Sequence, residues 1–133
     1  MTPNGNFNDD SETLGMIGRD AKLQQIREII RTAAPSDASV LIEGESGTGK
    51  QLIAAAIHAR SHRSSGPLIR VNCAEPSVVE LFAKPGLMEA ASSGTLQLDE
   101  IAEMPAHLQI QLFRVLQERK LCRLDFRLVV TTS

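Results

Sequence analysis

A glycine-rich heptapeptide, GESGTGK, occupies residues 44–50 and separates two segments of different character. The segment before it, SVLIE (residues 39–43), is short, apolar and β-branched, which predicts a strand buried on both faces. After it, apolar residues recur at intervals of three and four from Lys50 to a Ser-Ser-Gly-Pro cluster at 64–67, which predicts a helix. A strand, a glycine-rich turn and a helix in this order direct the chain towards an α/β fold.

The remainder of the chain continues this alternation. Strands that alternate with helices predict a parallel sheet covered on both faces, in which ligands bind beyond the carboxyl ends of the strands. The fold class is therefore a three-layer α/β domain. One predicted helix, which Pro105 opens, carries an apolar stripe assigned to the core: Leu108, Leu112, Val115 and Leu116. The other predicted elements are helices at 20–34 and 77–82 and strands at 68–72, 95–99 and 126–131.

The length of 133 residues suffices for one compact domain, predicted to span 14–133 behind a polar, acidic tail at 1–13. The tail lacks the features of a signal peptide, and no apolar run approaches the ~18 residues of a membrane span, so a cytoplasmic protein without membrane contact is expected. The formal net charge of −2 argues against direct DNA binding by this segment. Cys73 and Cys122 are too few and too far apart for a disulfide framework, so reduced thiols are expected.

The heptapeptide matches G-x-x-x-x-G-K, the pattern of a phosphate-binding loop. Its glycines, at 44, 47 and 49, permit positive φ and a close approach of backbone N–H groups to an anion, and the following helix adds partial positive charge. Lys50 supplies a cation for the β- and γ-phosphates of ATP. Gln51 stands where the motif normally has the Ser or Thr that holds Mg²⁺, which leaves two readings, a damaged site or a variant that binds its metal differently. The predicted nucleotide-binding residues of the loop are Gly44, Glu45, Ser46, Gly47, Thr48, Gly49, Lys50 and Gln51.

A second apolar strand ends in two carboxylates, in the segment LQLDE at 96–100. An Asp leaving the strand next to the phosphate loop can hold Mg²⁺ through its water shell, and the following Glu can orient and deprotonate the water that attacks the γ-phosphate. A solvated acidic turn is the alternative for a lone Asp-Glu pair. A buried strand that delivers the pair to the ligand-binding edge favours the catalytic interpretation, with Asp99 as metal ligand and Glu100 as base.

Several segments together resemble the central AAA+ ATPase domain of bacterial sigma-54-dependent transcription activators. They are MIGRD (16–20), APSDASVLIEGESGTGKQLIAAAIH (34–58), VNCA (71–74), ELF (80–82), SGTLQLDEIAEMP (93–105) and LFRVLQERK (112–120). The resemblance implies a P-loop fold, binding of ATP or ADP, a homo-oligomeric ring, and contact with sigma-54 RNA polymerase through a longer parent protein.

The resemblance also assigns roles to particular residues. That family usually carries Glu at the position of Gln51, so the missing hydroxyl is normal there, and Mg²⁺ would depend on Asp99, the nucleotide and water. By the same resemblance, Asn72 senses the γ-phosphate and hydrogen-bonds the water-activating Glu100. Ile17 and Gly18 match the stretch that lies near the adenine.

The chain departs from the family pattern in several places. The family inserts a loop bearing GAFTGA between the ELF segment and the second apolar strand, where this chain has only AKPGLMEAAS at 83–92. A second family loop is reduced to little more than CRLD at 122–125, and Ser133 stands in for an Asn that helps to sense nucleotide. A naturally shortened relative and an edited or incomplete sequence are both compatible with these gaps.

In the family, the arginine fingers and the helical lid lie in segments that would follow Ser133. An arginine finger contributes ~10³ to 10⁵ in rate, roughly 4 to 7 kcal/mol of transition-state stabilisation. We therefore expect this chain alone to bind ATP with Mg²⁺ but to hydrolyse it very slowly.

Two other functions and several plainer interpretations stay open at this point. One function is a nucleotide-sensing interaction module that no longer remodels sigma factor, and the other, weaker for want of a lid and an acceptor-binding segment, is a small-molecule kinase. His58 and His62 have the i, i+4 spacing of a zinc pair but no evident third ligand. Cys73 is expected to be a small buried hydrophobe. Solvated side chains are favoured over a basic patch for Arg60, Arg63 and Arg70.

Overall fold

The computed structural model describes residues 21–45, 49–83, 86–118 and 124–133. The predicted tail at 1–13, the adenine-side residues Ile17 and Gly18, the loop residues 46–48 and Cys122 lie outside the described residues. The helices are α1 (Ala21–Ala33), α2 (Lys50–Ala59), α3 (Leu87–Ala90) and α4 (Ala106–Glu118), with 3₁₀ helices at Pro76–Phe82 and Ile101–Glu103. The strands are β1 (Val40–Glu43), β2 (Leu68–Asn72), β3 (Thr95–Asp99) and β4 (Arg127–Thr132).

The four strands form one parallel sheet in the order β1-β4-β3-β2. Glu43 pairs with Thr132, and Asn72 pairs with Asp99, so the carboxyl ends of all four strands meet at one edge. β4 lies between β1 and β3, and the expectation that the acidic pair leaves the strand next to the phosphate loop is therefore wrong. The last strand of the sequence inserts between two earlier ones, a pairing that no local pattern specifies.

Helices cover both faces of the sheet, which confirms the three-layer α/β fold. On one face, Ile30 of α1 and Ile57 of α2 are fully buried and belong to a cluster packed against Val40 and Ile42 of β1. On the other face, α4, α3 and the 3₁₀ helix Pro76–Phe82 enclose a larger cluster. Its members include Leu81, Met88, Leu96, Leu98, Leu108, Leu112 and Leu128, with Val115 and Leu116 at its margin, so the predicted core stripe of α4 is confirmed.

β1 differs from its prediction, because Leu41 is 57% exposed and alternate residues of the strand face outwards. It is the terminal strand of the sheet and is buried on one face only, so the prediction of a strand buried on both faces is wrong. β3, in contrast, is buried at all five positions. The strand that carries the acidic pair is therefore an inner strand that is buried along its whole length.

The helix boundaries differ from the predicted ones by a few residues at most, except at the C-terminal end of α2. α2 ends at Ala59 rather than continuing to Ser64, because the chain turns at Arg60, where backbone N–H groups bond to carbonyls within the last helical turn. None of the described helices has the length and apolar character needed to cross a bilayer.

Candidate functional site

The phosphate-binding loop leads into α2 through a glycine with positive φ. Gly49, at φ 81°, lies immediately before Lys50, the first residue of α2. This confirms the predicted positive φ at one of the loop glycines, while Gly44 donates its N–H to the carbonyl of Thr132 and so ties the start of the loop to β4. The N-terminus of α2 thus lies at the carboxyl edge of the sheet, where its free N–H groups and dipole favour an anion.

Lys50 connects this helix to the residues beyond β3 and β4. Its side chain is 7% exposed, and Nζ lies 3.4 Å from Oγ of Ser133 and 3.8 Å from Oε2 of Glu100. The two charged residues predicted from separate motifs, about fifty positions apart in the sequence, therefore meet at one place. Glu45 is exposed on the same loop.

Asp99 is a nearly buried carboxylate, 4% exposed, at the end of β3. Its Oδ1 accepts hydrogen bonds from Nε2 of Gln97 at 2.9 Å and from Oγ1 of Thr131 at 3.1 Å. Both donors are buried, Gln97 on β3 itself and Thr131 on the neighbouring β4. Oδ1 is thus fixed by the sheet, which leaves Oδ2 as the oxygen available to a cation.

Glu100 leaves the strand through an unusual backbone conformation, with φ 57° and ψ 57°. A non-glycine residue in this left-handed region is strained, and such strain concentrates at functional sites. Its N–H donates to Oγ1 of Thr131 at 3.2 Å. Both carboxylate oxygens accept from Oγ of Ser133, at 2.9 and 2.7 Å, so this turn directs the carboxylate towards the end of β4 and Lys50.

Asn72 lies at the same edge, paired with Asp99, but its side chain makes local contacts. Its Oδ1 accepts from the N–H of Ala74 at 3.0 Å, and its Nδ2 donates to Glu75 at 3.4 Å. The side-chain hydrogen bonds to the Glu100 carboxylate come from Ser133 rather than from Asn72. The structure places Asn72 beside the site without the hydrogen bond to Glu100 that the resemblance implied.

Gln51 and Arg70 approach each other across the first turn of α2. Nη2 of Arg70 donates to Oε1 of Gln51 at 3.3 Å and lies 3.7 Å from Oδ2 of Asp99. Arg70 is half-exposed, yet it is an ion-pair partner of the site rather than a solvated strand residue. Gln51, which replaces the usual hydroxyl, therefore faces a guanidinium that also pairs with Asp99.

Arg63, which the sequence analysis grouped with Arg70 as a possible basic patch, has a structural role. Arg63 donates to both carboxylate oxygens of Asp37 and to Asp125, each at 2.8 Å. These hydrogen bonds raise the pKa of the Arg63 guanidinium above its usual value. Arg63 joins the turn after α2 to the segments before β1 and β4, at the end of α2 opposite to Lys50.

His58 and His62 do not converge on a common point. His58 is 6% exposed, and its Nδ1 lies 2.7 Å from Oγ1 of Thr95, whereas His62 is exposed. Within the described ranges, no group of three or more His, Cys, Asp or Glu side chains gathers as a metal site. Burial lowers the pKa of His58, the backbone of Gly66 opposes this by hydrogen bonding, and the charge of Arg127 lowers it further.

Burial of His58 predicts a stability that depends on pH. Since its pKa in the folded chain is lower than the ordinary 6.5, the unfolded chain binds more protons as the pH falls below that value. We expect the free energy of unfolding to be steady above pH ~6.5 and to decrease below it, by at most about 1.4 kcal/mol per pH unit. Urea unfolding at pH 7.5, 6.5 and 5.5 measures this slope. In His58→Gln the decrease should be smaller, and equal slopes in both proteins would contradict the assignment.

Cys73 is 1% exposed, immediately beyond β2. Burial, with smaller contributions from Asp99 and Glu100, raises the pKa of its thiol to about 11. A thiol that is neutral at physiological pH is a weak nucleophile, and the prediction of a small buried hydrophobe is confirmed.

The contacts that four residues make with Asp99 and Glu100 were not predicted from the sequence. These residues are Gln97, Thr131, Ser133 and Arg70. Gln97 offered a signal, since a polar residue two positions before Asp99 on a strand points to the same face. Ser133 was recognised only as a replacement for Asn. The contacts of Thr131 and Arg70 depend on strand order, which the local sequence does not reveal.

Comparison with protein families gives one match over most of the chain. The model of the Sigma-54 interaction domain matches residues 16–83 and 81–131. The two matched segments meet at 81–83, where the sequence lacks the family loop that follows ELF.

Individual relatives agree with this match. The chain is 43% identical to the transcriptional regulator VasH of Vibrio cholerae over 141 aligned residues, covering 88% of this chain and 27% of VasH. It is 48% identical to the regulatory protein AtoC of Escherichia coli over 124 residues, covering 75% of this chain and 27% of AtoC. The chain thus spans about a quarter of the length of these relatives.

Solved structures share the fold. NtrX from Brucella abortus in complex with ATP superimposes with a TM-score of 0.78 at 33% identity, over 88% of this chain and 31% of NtrX. A P-loop NTPase domain from E. coli superimposes with a TM-score of 0.64 at 18% identity, a likeness that concerns the fold alone. These structures confirm the predicted fold class, a three-layer α/β P-loop NTPase domain.

Proposed function

We propose that this chain, which belongs to the Sigma-54 interaction domain family, is an ATP-binding core of a sigma-54-dependent transcriptional regulator. The observation that carries the proposal is the meeting of Lys50 with the acidic pair at the N-terminus of α2. A buried lysine, a glycine-flanked helix terminus and two carboxylates at one sheet edge suit a nucleoside triphosphate and the metal ion that accompanies it. The ATP complex of NtrX supports the same ligand class.

The phosphates of ATP would lie on the Gly44–Lys50 loop. Backbone N–H groups and the α2 dipole would face the β-phosphate, and the Lys50 ammonium would reach the β- and γ-phosphates. The Glu100 carboxylate that now lies 3.8 Å from Lys50 would be separated from it when a γ-phosphate enters between them. Ile17 and Gly18 are proposed to lie near the adenine.

The residues present fit Mg²⁺, which when bound would neutralise charge on the β- and γ-phosphates. Oδ2 of Asp99 and Oε1 of Gln51 are oxygen donors of the kind Mg²⁺ prefers, and both already approach one cation, the Arg70 guanidinium. Asp99 would therefore hold the ion, in part through water molecules that complete its coordination shell. Gln51 is compatible with a variant site rather than a damaged one.

Hydrolysis would use Glu100 as the general base. Its carboxylate would accept a proton from the attacking water as the water oxygen bonds to the γ-phosphorus and the bond to the β–γ bridging oxygen breaks, giving ADP and phosphate. Ser133, whose Oγ donates to both oxygens of Glu100, would orient that carboxylate, and Asn72 is proposed to leave its local contacts and join it when nucleotide binds. Without an arginine finger from elsewhere, turnover by this chain alone should be far below one per second. A homo-oligomeric ring of a longer parent protein is proposed to place an arginine finger of one subunit at the site of its neighbour.

A second candidate is a nucleotide-sensing interaction module that no longer remodels sigma factor. The break in the family match at 81–83 favours it, because the absent loop is the part that would grip sigma factor in the family. In either case this segment is proposed to contact ATP or ADP directly and sigma-54 RNA polymerase only through a longer parent protein.

Displacement of a fluorescent ATP analogue from the 133-residue chain tests the proposal. We expect ATP and ADP to displace the analogue at micromolar concentrations and inorganic phosphate to do so only weakly. Failure of the analogue to bind, with the chain shown to be folded by circular dichroism, would overturn the proposed function. To separate the two candidates, sigma-54 binding would be measured with the longer protein in ATP and in ADP.

A further inference from the structure

We propose that Arg70 competes with Mg²⁺ for Asp99 and thereby sets how strongly nucleotide binding by this chain depends on Mg²⁺. The inference rests on the proposed function, because it concerns the metal that would accompany ATP. It goes further by assigning a control of metal affinity to a residue outside both sequence motifs.

The first step is that Asp99 has a single oxygen to offer. Its Oδ1 already accepts from Nε2 of Gln97 at 2.9 Å and from Oγ1 of Thr131 at 3.1 Å. Gln97 and Thr131 are each 0% exposed, so these donors are held by the packed sheet and do not yield to solvent. A cation arriving from the loop side would meet Oδ2.

The second step is that a cation already lies against that oxygen. Nη2 of Arg70 is 3.7 Å from Oδ2, an ion-pair distance, and the same nitrogen donates to Oε1 of Gln51 at 3.3 Å. A nearly buried carboxylate needs a compensating charge, and Arg70 supplies one. The guanidinium thus joins two oxygens, one from the end of β3 and one from the first turn of α2.

The third step is that Arg70 and Mg²⁺ exclude each other at Oδ2. A divalent ion and a guanidinium repel, and a ligand oxygen turned to one is withdrawn from the other. Arg70 is half-exposed and is free to turn towards solvent at modest cost, so the competition shifts the metal affinity rather than abolishing it. Gln51 strengthens the competition, because its amide oxygen gives the guanidinium a second acceptor where the usual hydroxyl would serve the metal.

Calorimetric titration with ATPγS, in EDTA and over a series of Mg²⁺ concentrations, tests this inference on the 133-residue chain. The variants are Arg70→Gln, Arg70→Lys and the matched control Arg114→Gln, which removes the same charge from the exposed side of α4 on the opposite face of the sheet. We expect the Mg²⁺ concentration that gives half of the maximal gain in ATPγS affinity to fall about 2- to 5-fold in Arg70→Gln, the range that corresponds to a half-exposed ion pair. In Arg70→Lys, which keeps the charge, and in Arg114→Gln this concentration should change little.

The outcomes separate the two claims. If all variants bind ATPγS and Arg70→Gln has the same Mg²⁺ dependence as the unaltered chain, or a weaker apparent Mg²⁺ affinity, the inference is overturned while the proposed function stands. A loss of stability alone would not shift the Mg²⁺ midpoint of the folded protein. If the unaltered chain binds no ATPγS under any condition, the proposed function fails and the inference fails with it.

Discussion

Replacing Lys50 with alanine is expected to weaken ATPγS binding roughly 10- to 150-fold, because a hydrogen bond to a charged group contributes about 1.5–3 kcal/mol and 1.4 kcal/mol corresponds to a factor of ten. Lys50 is the first residue of α2 and is only 7% exposed, so its ammonium is held at the helix N-terminus rather than free in solvent. Its nearest charged partner is Glu100, 3.8 Å away. Calorimetric titration of the variant and the unaltered chain, in Mg²⁺, measures the loss.

Two controls make the Lys50 result specific. Glu100→Gln should bind ATPγS about as well as the unaltered chain, because Glu100 is proposed to act on the attacking water and not on the ground-state phosphates. Arg114→Ala removes one positive charge from an exposed position of α4 and should leave binding unchanged. Equal affinity of Lys50→Ala and the unaltered chain would show that the lysine does not contact the ligand.

Replacing Arg127 with methionine is expected to lower the free energy of unfolding by about 3–5 kcal/mol, because three backbone carbonyls lose their donor and each buried acceptor left unsatisfied costs about 1–3 kcal/mol. This is a large part of the stability of about 5–15 kcal/mol that is typical of a domain. Arg127 is 1% exposed at the start of β4, and its guanidinium donates to three backbone carbonyls. The acceptors are Ala33 at 2.6 Å, Ala34 at 3.0 Å and Ala38 at 3.2 Å. The first two lie at the C-terminus of α1, where a cation also complements the helix dipole.

The cost of Arg127→Met arises from the acceptors left behind. Methionine fills similar space but donates nothing, so carbonyls at the end of α1 lose their partners in an enclosed region. Urea unfolding followed by circular dichroism measures the effect, with Arg114→Met as the exposed control, for which a change within about 0.5 kcal/mol is expected. Similar midpoints for the two variants would mean that Arg127 does not hold α1 to the sheet.

Local sequence predicted much of the fold because the strands have distinctive composition. The segments at 68–72 and 95–99 were assigned the bounds that the structure gives them, since each is a short apolar run between turn residues. α1 and α4 followed from apolar spacing in the same way. α3, with four residues, is too short for a periodic pattern and was not predicted.

What sequence could not provide is the pairing of distant elements. Arg127 donates to carbonyls about ninety positions earlier in the chain, and β4 lies in the sheet between β1 and β3. The residues next to Arg127 and β4 in the sequence indicate neither of these contacts. The exposure of Leu41 also depends on pairing, because the sequence of a strand at the end of a sheet can be as apolar as that of an inner strand. Interior polar residues such as Arg127 were therefore the hardest to interpret.

In the candidate site, too, local motifs predicted some residues and only the structure revealed the others. Its two motifs named Lys50, Asp99 and Glu100, and the structure brings these residues to one sheet edge. Their supporting contacts came from elsewhere, from Ser133 at the end of β4 and from Arg70 on β2, because those depend on which strands are neighbours. Motifs predicted the chemistry, and the sheet order determined its partners.

The most direct test of nucleotide binding at this site is a ¹H–¹⁵N correlation spectrum of the 133-residue chain titrated with ATPγS and Mg²⁺. If the phosphates lie on the loop, the largest amide shifts should fall at residues 44–51, with further shifts at Asp99 and Glu100. Shifts confined to other elements, or an unchanged spectrum at millimolar ATPγS, would contradict the assignment of the Gly44–Lys50 loop as the nucleotide site.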